Sequence, residues 1–228
     1  MFVWTMLAVG LVLGFPPDAP GQSAHAPSAG LWKKTLTTIR PSIVVLSAVD
    51  DERAPKKKDA QQRGMGVLID GKGLLIAPHV ALPAQAKLVA TLADHSQVAA
   101  DLVLTDVKLG IDVFQLRAQK LPAACQFLDS KQIELGEEVI LLSIAWGDEH
   151  TATRGIISAK NREIGGEKVL QTDCSLGPGT FPGIVFAKSG EVVGVVSPQT
   201  ERNGLGFALP GERLKAVVDD ARRRMKAE

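Results

Sequence analysis

The chain has 228 residues, a formal net charge of +1 and 45% hydrophobic residues, which fits one large globular unit or two small ones and gives no bulk electrostatic pull on nucleic acid. It has no tyrosine and three tryptophans, so no stacking platform for single-stranded nucleic acid is evident. Its two cysteines, Cys125 and Cys174, are too few for a disulfide scaffold and fit a pair of buried thiols, a bond between them being the alternative.

Residues 2–15 form an apolar run. It falls short of the about 20 residues a spanning helix needs and is nearer to a signal-peptide core. Ala24-His25-Ala26 fits the small-x-small cleavage pattern, although no Lys or Arg precedes the run and Pro27 would follow the cut. The expectation is an extracytoplasmic protein, periplasmic or secreted, with membrane tethering as a variant. Residues 1–30 are taken as signal peptide and linker, the Pro, Gly, Ser and Ala of 16–30 carrying little core potential. Trp32, Leu36 and Ile39 are at helical spacing and stop before Pro41, which predicts a short amphipathic helix over 31–40. Ser42 to Val49 then reads as a β-branched strand.

Residues 50–63 are mostly charged or polar, with Lys56-Lys57-Lys58 at the centre, and read as a solvated loop. Gly64 to Ala77 reads as a hairpin, two apolar runs joined through Asp70-Gly71-Lys72-Gly73. Two further strands are predicted over 86–92 and 98–104, and Gly110-Ile111-Asp112-Val113 opens another apolar run. In the second half, Gln171-Thr-Asp-Cys-Ser-Leu-Gly-Pro-Gly-Thr-Phe-Pro-Gly-Ile-Val-Phe186 stands out. Gly177 and Gly179 bracket Pro178, so a sharp turn is expected, and amides forced outward by such a turn can hold an anion. From Glu212 onward, Leu214, Val217, Val218, Ala221 and Met225 share one helical face. Arg222, Arg223, Arg224 and Lys226 lie near that helix's C-terminus, where cations suit the dipole. The four histidines, 25, 79, 95 and 150, lack metal-ligand spacing. Neither a metal site nor any other cofactor is expected.

Several of these segments together resemble the trypsin-like serine proteases of the HtrA/Deg family. The 171–186 stretch resembles that family's nucleophile loop, Gln-Thr-Asp-Ala-Ala-Ile-Asn-Pro-Gly-Asn-Ser-Gly-Gly-Pro-Leu. Pro78-His79-Val80 falls where the family has Asn-His-Val, and Asp112 falls on the aspartate that orients the histidine. Gly155-Ile-Ile-Ser-Ala159, Gly190-Glu-Val-Val-Gly-Val195 and Gly206-Phe-Ala-Leu-Pro210 match further family segments, whereas Ser143 to Gly147 is an eroded match. The resemblance covers about residues 40–212 and leaves no sequence for the PDZ domain that many members carry.

The resemblance implies an all-β fold of two six-stranded antiparallel β-barrels with short terminal helices. A helix and first barrel would occupy 31–120, a second barrel 121–210 and a C-terminal amphipathic helix 211–228. It implies His79 and Asp112 as the retained part of a triad. The nucleophilic serine falls on Phe181, and the oxyanion amides fall on Gly179 and Phe181. Ser175 and Ser197 are implied in the substrate pocket. Phe181 has no heteroatom to attack with, and Pro182 removes a backbone N–H next to it. The expectation is therefore an inactive protease homologue used for binding or scaffolding, with protein or peptide ligands and no nucleic-acid partner. The alternative is a working extracytoplasmic endopeptidase with a displaced nucleophile. Thr180, Cys174 and Ser175 are the hydroxyl and thiol side chains near the loop. The family often assembles through N-terminal contacts, so the 31–39 segment is also a candidate for self-association.

Overall fold

The computed structural model describes residues 28–49, 63–79, 87–144, 150–177, 182–197 and 206–227. Helix α1 (Ser28–Ile39) opens the described chain. It starts three residues before the predicted segment, inside the stretch assigned to the linker. Trp32, Thr35 and Ile39 are its buried positions, the i, i+3, i+7 stripe that an amphipathic helix turns to a core. A 3-10 turn at Arg40–Ser42, with Pro41 inside it, carries the chain into β1 (Ile43–Val49).

The first barrel adds β2 (Arg63–Leu68), β3 (Leu74–Pro78), β4 (Lys87–Thr91), β5 (Gln97–Asp106) and β6 (Ile111–Arg117). It closes in the order β1-β2-β3-β6-β5-β4. The second comprises β7 (Glu138–Ile144), β8 (His150–Ile164), β9 (Glu167–Thr172), β10 (Gly183–Ala187), β11 (Val192–Val196) and β12 (Gly206–Pro210). It closes as β7-β8-β9-β12-β11-β10, so the two barrels repeat one connectivity. All the paired strands are antiparallel. The two-barrel expectation holds. Helix α2 (Gly211–Ala227) follows β12 directly, with Leu214, Val217, Val218 and Ala221 buried as the periodicity predicts.

Three apolar clusters account for the strand sequences. Val44, Leu46, Leu75, Phe114 and Leu116 are among the side chains that fill the first barrel. Val139, Leu141, Ile157, Val185 and Val193 do the same for the second. A third cluster joins Ile76, Ile111 and Val113 of the first barrel to Ile184, Phe186 and Val195 of the second, and to Trp32 of α1 and Leu214 of α2. Strands β3 and β10 therefore divide alternate side chains between a barrel interior and the seam. Leu74 and Ile76 face the seam cluster, Leu75 and Ala77 the interior. Burial on both faces is why they read as continuous apolar runs and not as alternation. No disulfide forms between Cys125 and Cys174; both are buried free thiols.

Two features of the second barrel lay beyond the sequence reading. Strand β8 runs 15 residues, pairing with β7 along its first half and with β9 along its second. Strand β9, which ends inside the 171–186 stretch at Thr172, was not predicted as a strand. Gly165 and Gly166, at φ +59 and +80, form the turn between β8 and β9. A Gly-Gly pair between two extended runs is a hairpin signal of known kind, because both central residues of a type I′ turn need positive φ.

Candidate functional site

His79 and Asp112 are brought together by the pairing of β3 with β6. Ala77 lies opposite Asp112 and Pro78 opposite Ile111 in that register. His79 is the next residue after β3, and its backbone N–H donates to Gly110 O at 2.7 Å. The imidazole then meets the start of β6, with Nδ1 at 2.9 Å from Asp112 Oδ2 and 3.0 Å from Oδ1. The Asp112 side chain is 4% exposed and that of His79 32%. A buried carboxylate that accepts Nδ1–H fixes the ring orientation and leaves Nε2 as the acceptor. That is the geometry of a base and its orienter.

The loop between β5 and β6 is held from three sides. Asp106 Oδ1 accepts from the Leu109 amide at 3.0 Å. Ser197, fully buried at the end of β11, donates its hydroxyl to Leu109 O at 2.8 Å. The third hold is the His79 amide on Gly110 O. The second barrel thus reaches across the seam to the backbone just ahead of Asp112. Ser197 was expected in a substrate pocket; its hydroxyl is in this loop contact.

Ser175 is exposed and follows β9. Its carbonyl receives a long contact from Thr153 Oγ1 at 3.4 Å. Cys174, one residue earlier, is 2% exposed, and burial pushes its thiol up from the ordinary range. A buried thiol held protonated is a poor nucleophile. Asp173 is used structurally: its Oδ1 accepts from the Ile156 amide at 2.6 Å. A Cβ at Gly155 would meet that same oxygen at 2.3 Å, so Gly155-Ile156 and Thr172-Asp173 are matched halves of one junction. After the loop, Pro182 is half-buried and Gly183 opens β10, where a Cβ would meet Leu141 Cδ2 at 2.8 Å and Leu142 O at 3.0 Å. Phe181, Gly179 and Thr180 lie outside the described residues.

The group least visible in sequence is Glu167, at the start of β9. It accepts from Lys108 Nζ at 2.9 Å and from Arg213 Nε at 2.9 Å. One carboxylate thus ties the β5–β6 loop of the first barrel and α2 to the second barrel. Hydrogen bonds from Arg213 and then Lys108 pull its pKa down from 4.5 to about 2. Among the described residues no cluster of His, Cys, Asp or Glu could hold a metal ion.

Two six-stranded barrels of one connectivity, with a His–Asp pair on the first, define a chymotrypsin-like protein. The comparisons are narrower. A family model described as the trypsin-like peptidase domain matches residues 64–195, and the chain belongs to that family. It is 30% identical over 165 residues to a probable periplasmic serine endoprotease, DegP-like, of Pseudomonas putida (strain GB-1), covering 69% of this chain and 34% of the relative. It is 32% identical over 177 residues to a DegP-like protein of the same description from Chlamydia trachomatis, covering 74% of this chain and 35% of the relative. The chain thus spans about a third of the length of these relatives. A solved structure, the HtrA-type protease AlgW with tripeptide, superposes with a TM-score of 0.68 at 24% identity, over 83% of this chain and 62% of that one. That similarity establishes the shared fold.

Proposed function

We propose that this chain is a catalytically inactive HtrA/Deg-type peptidase homologue that acts as a binding or scaffolding module for protein or peptide ligands. The observation that carries the reading is the residue pair Phe181-Pro182 at the position of the nucleophile and its following glycine. Acyl transfer needs a heteroatom whose proton the imidazole can take, and a benzyl side chain has none. Without it, only the binding and oxyanion contributions remain, on the order of 10³–10⁴-fold over water. Pro182 biases residue 181 towards extended angles and deletes an amide at the turn. His79 and Asp112 are then a retained base and orienter with nothing to activate. In this reading Gly179 and Phe181 line the former oxyanion loop, and Ser175 borders the peptide cleft.

The well-formed contact of 2.9 Å between His79 and Asp112 favours a second reading, an active endopeptidase with a displaced nucleophile. Cys174 is a weak candidate for that role because it is buried with its thiol pKa raised. Incubation of the purified chain with casein separates the two readings. The binding-module reading expects no fragments at high protein concentration, and none from Phe181→Ser alone, because Pro182 still distorts the loop. Cleavage that is lost in Asp112→Ala would instead establish the second reading.

An extracytoplasmic location is part of the proposal. It rests on the apolar run at 2–15, on Ala24-His25-Ala26 and on the periplasmic description of the relatives. Among the described residues no helix is long and apolar enough to cross a membrane. A fusion of alkaline phosphatase to the C-terminus tests this; enzyme activity in intact bacteria is expected, and an inactive fusion would oppose export.

A further inference from the structure

Among the described residues, helix α1 keeps an exposed outer face. Trp32, Thr35 and Ile39 turn inward, and Leu36 packs at the edge of the seam cluster. Gly30, Leu31, Lys33, Lys34, Thr37 and Thr38 are exposed. The helix carries no acidic residue. Both threonine hydroxyls on this face are satisfied internally, Thr37 on Lys33 O at 2.9 Å and Thr38 on Lys34 O at 3.0 Å. Among the described residues, the groups this face leaves to solvent include the Lys33 and Lys34 ammonium groups and the Leu31 side chain, 42% exposed. Arg40, exposed at the end of the helix, adds a third cation. The face is basic in a chain whose net charge is only +1, so the excess is local.

The helix is also firmly placed. Thr35 Oγ1 donates to Lys188 O at 2.5 Å. The Lys188 ammonium lies 6.0 Å from the centroid of the Trp32 ring and pairs with Glu138. Ile39 packs against Gly190. Among the described residues the buried Trp32 indole N–H has no acceptor.

In sequence, α1 follows the apolar run of residues 2–15 after a link of residues 16–27. Twelve residues reach at most about 40 Å fully extended. Where that run is kept as a membrane tether, the variant to cleavage after Ala26, the basic face is held within reach of the same surface. An exposed leucine beside lysines offers an apolar group to the headgroup boundary and cations to anionic lipid.

We propose that the outer face of α1, through Lys33, Lys34 and Leu31, docks on an anionic phospholipid surface and orients both barrels against it. This is independent of whether the His79 site turns over a substrate. A basic residue near an anionic bilayer contributes about fivefold in partitioning, so reversal of both lysines is expected to weaken binding by 25-fold or more.

The test is co-sedimentation of the purified full chain with vesicles of phosphatidylcholine alone or with 30% phosphatidylglycerol, at low and high salt. Insertion of the apolar run contributes equally to both compositions, so the ratio between them reports the electrostatic contribution, which the lysine variants then assign to α1. Binding is expected to rise with phosphatidylglycerol, to fall with salt, and to lose its lipid-charge dependence in Lys33→Glu/Lys34→Glu. The control Lys120→Glu/Lys131→Glu changes net charge equally at exposed positions of the linker between barrels and is expected to bind as the wild type does. Unaltered thermal melts check that each variant is folded. Binding that ignores lipid charge, or that both double variants weaken alike, would overturn the proposal, as would no binding to either vesicle. Loss of a concentration-dependent oligomer in Lys33→Glu/Lys34→Glu, with lipid binding unchanged, would assign the face to a second copy of the chain instead.

Discussion

Replacing Glu167 by Gln removes one negative charge from the junction of both barrels and α2 and leaves the side-chain shape nearly unchanged. Glu167 is 18% exposed and receives Arg213 and Lys108, which are 36% and 67% exposed. The folded-state pKa of about 2, against 4.5 for the free group, corresponds at face value to about 3 kcal/mol at neutral pH. Both cations reach water, so screening reduces the expected contribution to about 1–2 kcal/mol. The direction with pH follows from the depressed pKa. The contribution is fully present above about pH 4.5 and is lost progressively as pH falls towards 2, because the unfolded chain takes up the proton first. Urea unfolding of wild type and Glu167→Gln at pH 7 and at several values between 4.5 and 2.5 reads this directly. The wild type is expected to be more stable by about 1–2 kcal/mol at pH 7, with the gap narrowing on acidification through that window. Equal stability at pH 7, or a gap that widens in acid, would refute the role given to this carboxylate.

Phe186 is fully buried in the seam cluster, and Phe186→Ala is expected to cost about 3–5 kcal/mol in urea unfolding; a loss under about 1 kcal/mol would mean the seam is not packed as described. A Cβ at Gly211 would lie 2.2 Å from Leu128 O, so Gly211→Ala is expected to destabilise by about 1–3 kcal/mol by forcing α2 off the linker between barrels, measured as a drop in Tm. Ser197→Ala deletes the donor to Leu109 O and is expected to cost about 1–3 kcal/mol. It should also shift the His79 ring resonances in NMR, since that loop carries the backbone partner of His79; unchanged resonances would separate Ser197 from the site.

The His79–Asp112 pair was legible because each residue lies in a short segment with a family counterpart, and because β3 and β6 are local apolar runs whose register follows from burial. The C-terminal helix was legible from periodicity alone, its buried positions matching Leu214, Val217, Val218 and Ala221. The ion cluster was not. Lys108, Glu167 and Arg213 are 59 and 46 residues apart in the chain, each in a polar surface stretch, and only the docking of the barrels and α2 creates the site. The Ser197 hydrogen bond to Leu109 O was not legible either, because a serine at a strand end has no sequence mark for a cross-barrel hydrogen bond. The length of β8 was hidden by its exposed first half, where His150, Ala152, Arg154 and Ile156 face solvent and break the apolar pattern a buried strand would show.

The most direct test of the proposed loss of the nucleophile is to treat the purified full chain with a serine-directed fluorophosphonate and follow adduct formation by intact-mass spectrometry, beside His79→Ala. A protein whose imidazole has no hydroxyl to activate is expected to remain at its unmodified mass in both forms. A stoichiometric adduct on the wild type that disappears in His79→Ala would locate a working nucleophile within reach of that ring and contradict the assignment of Phe181.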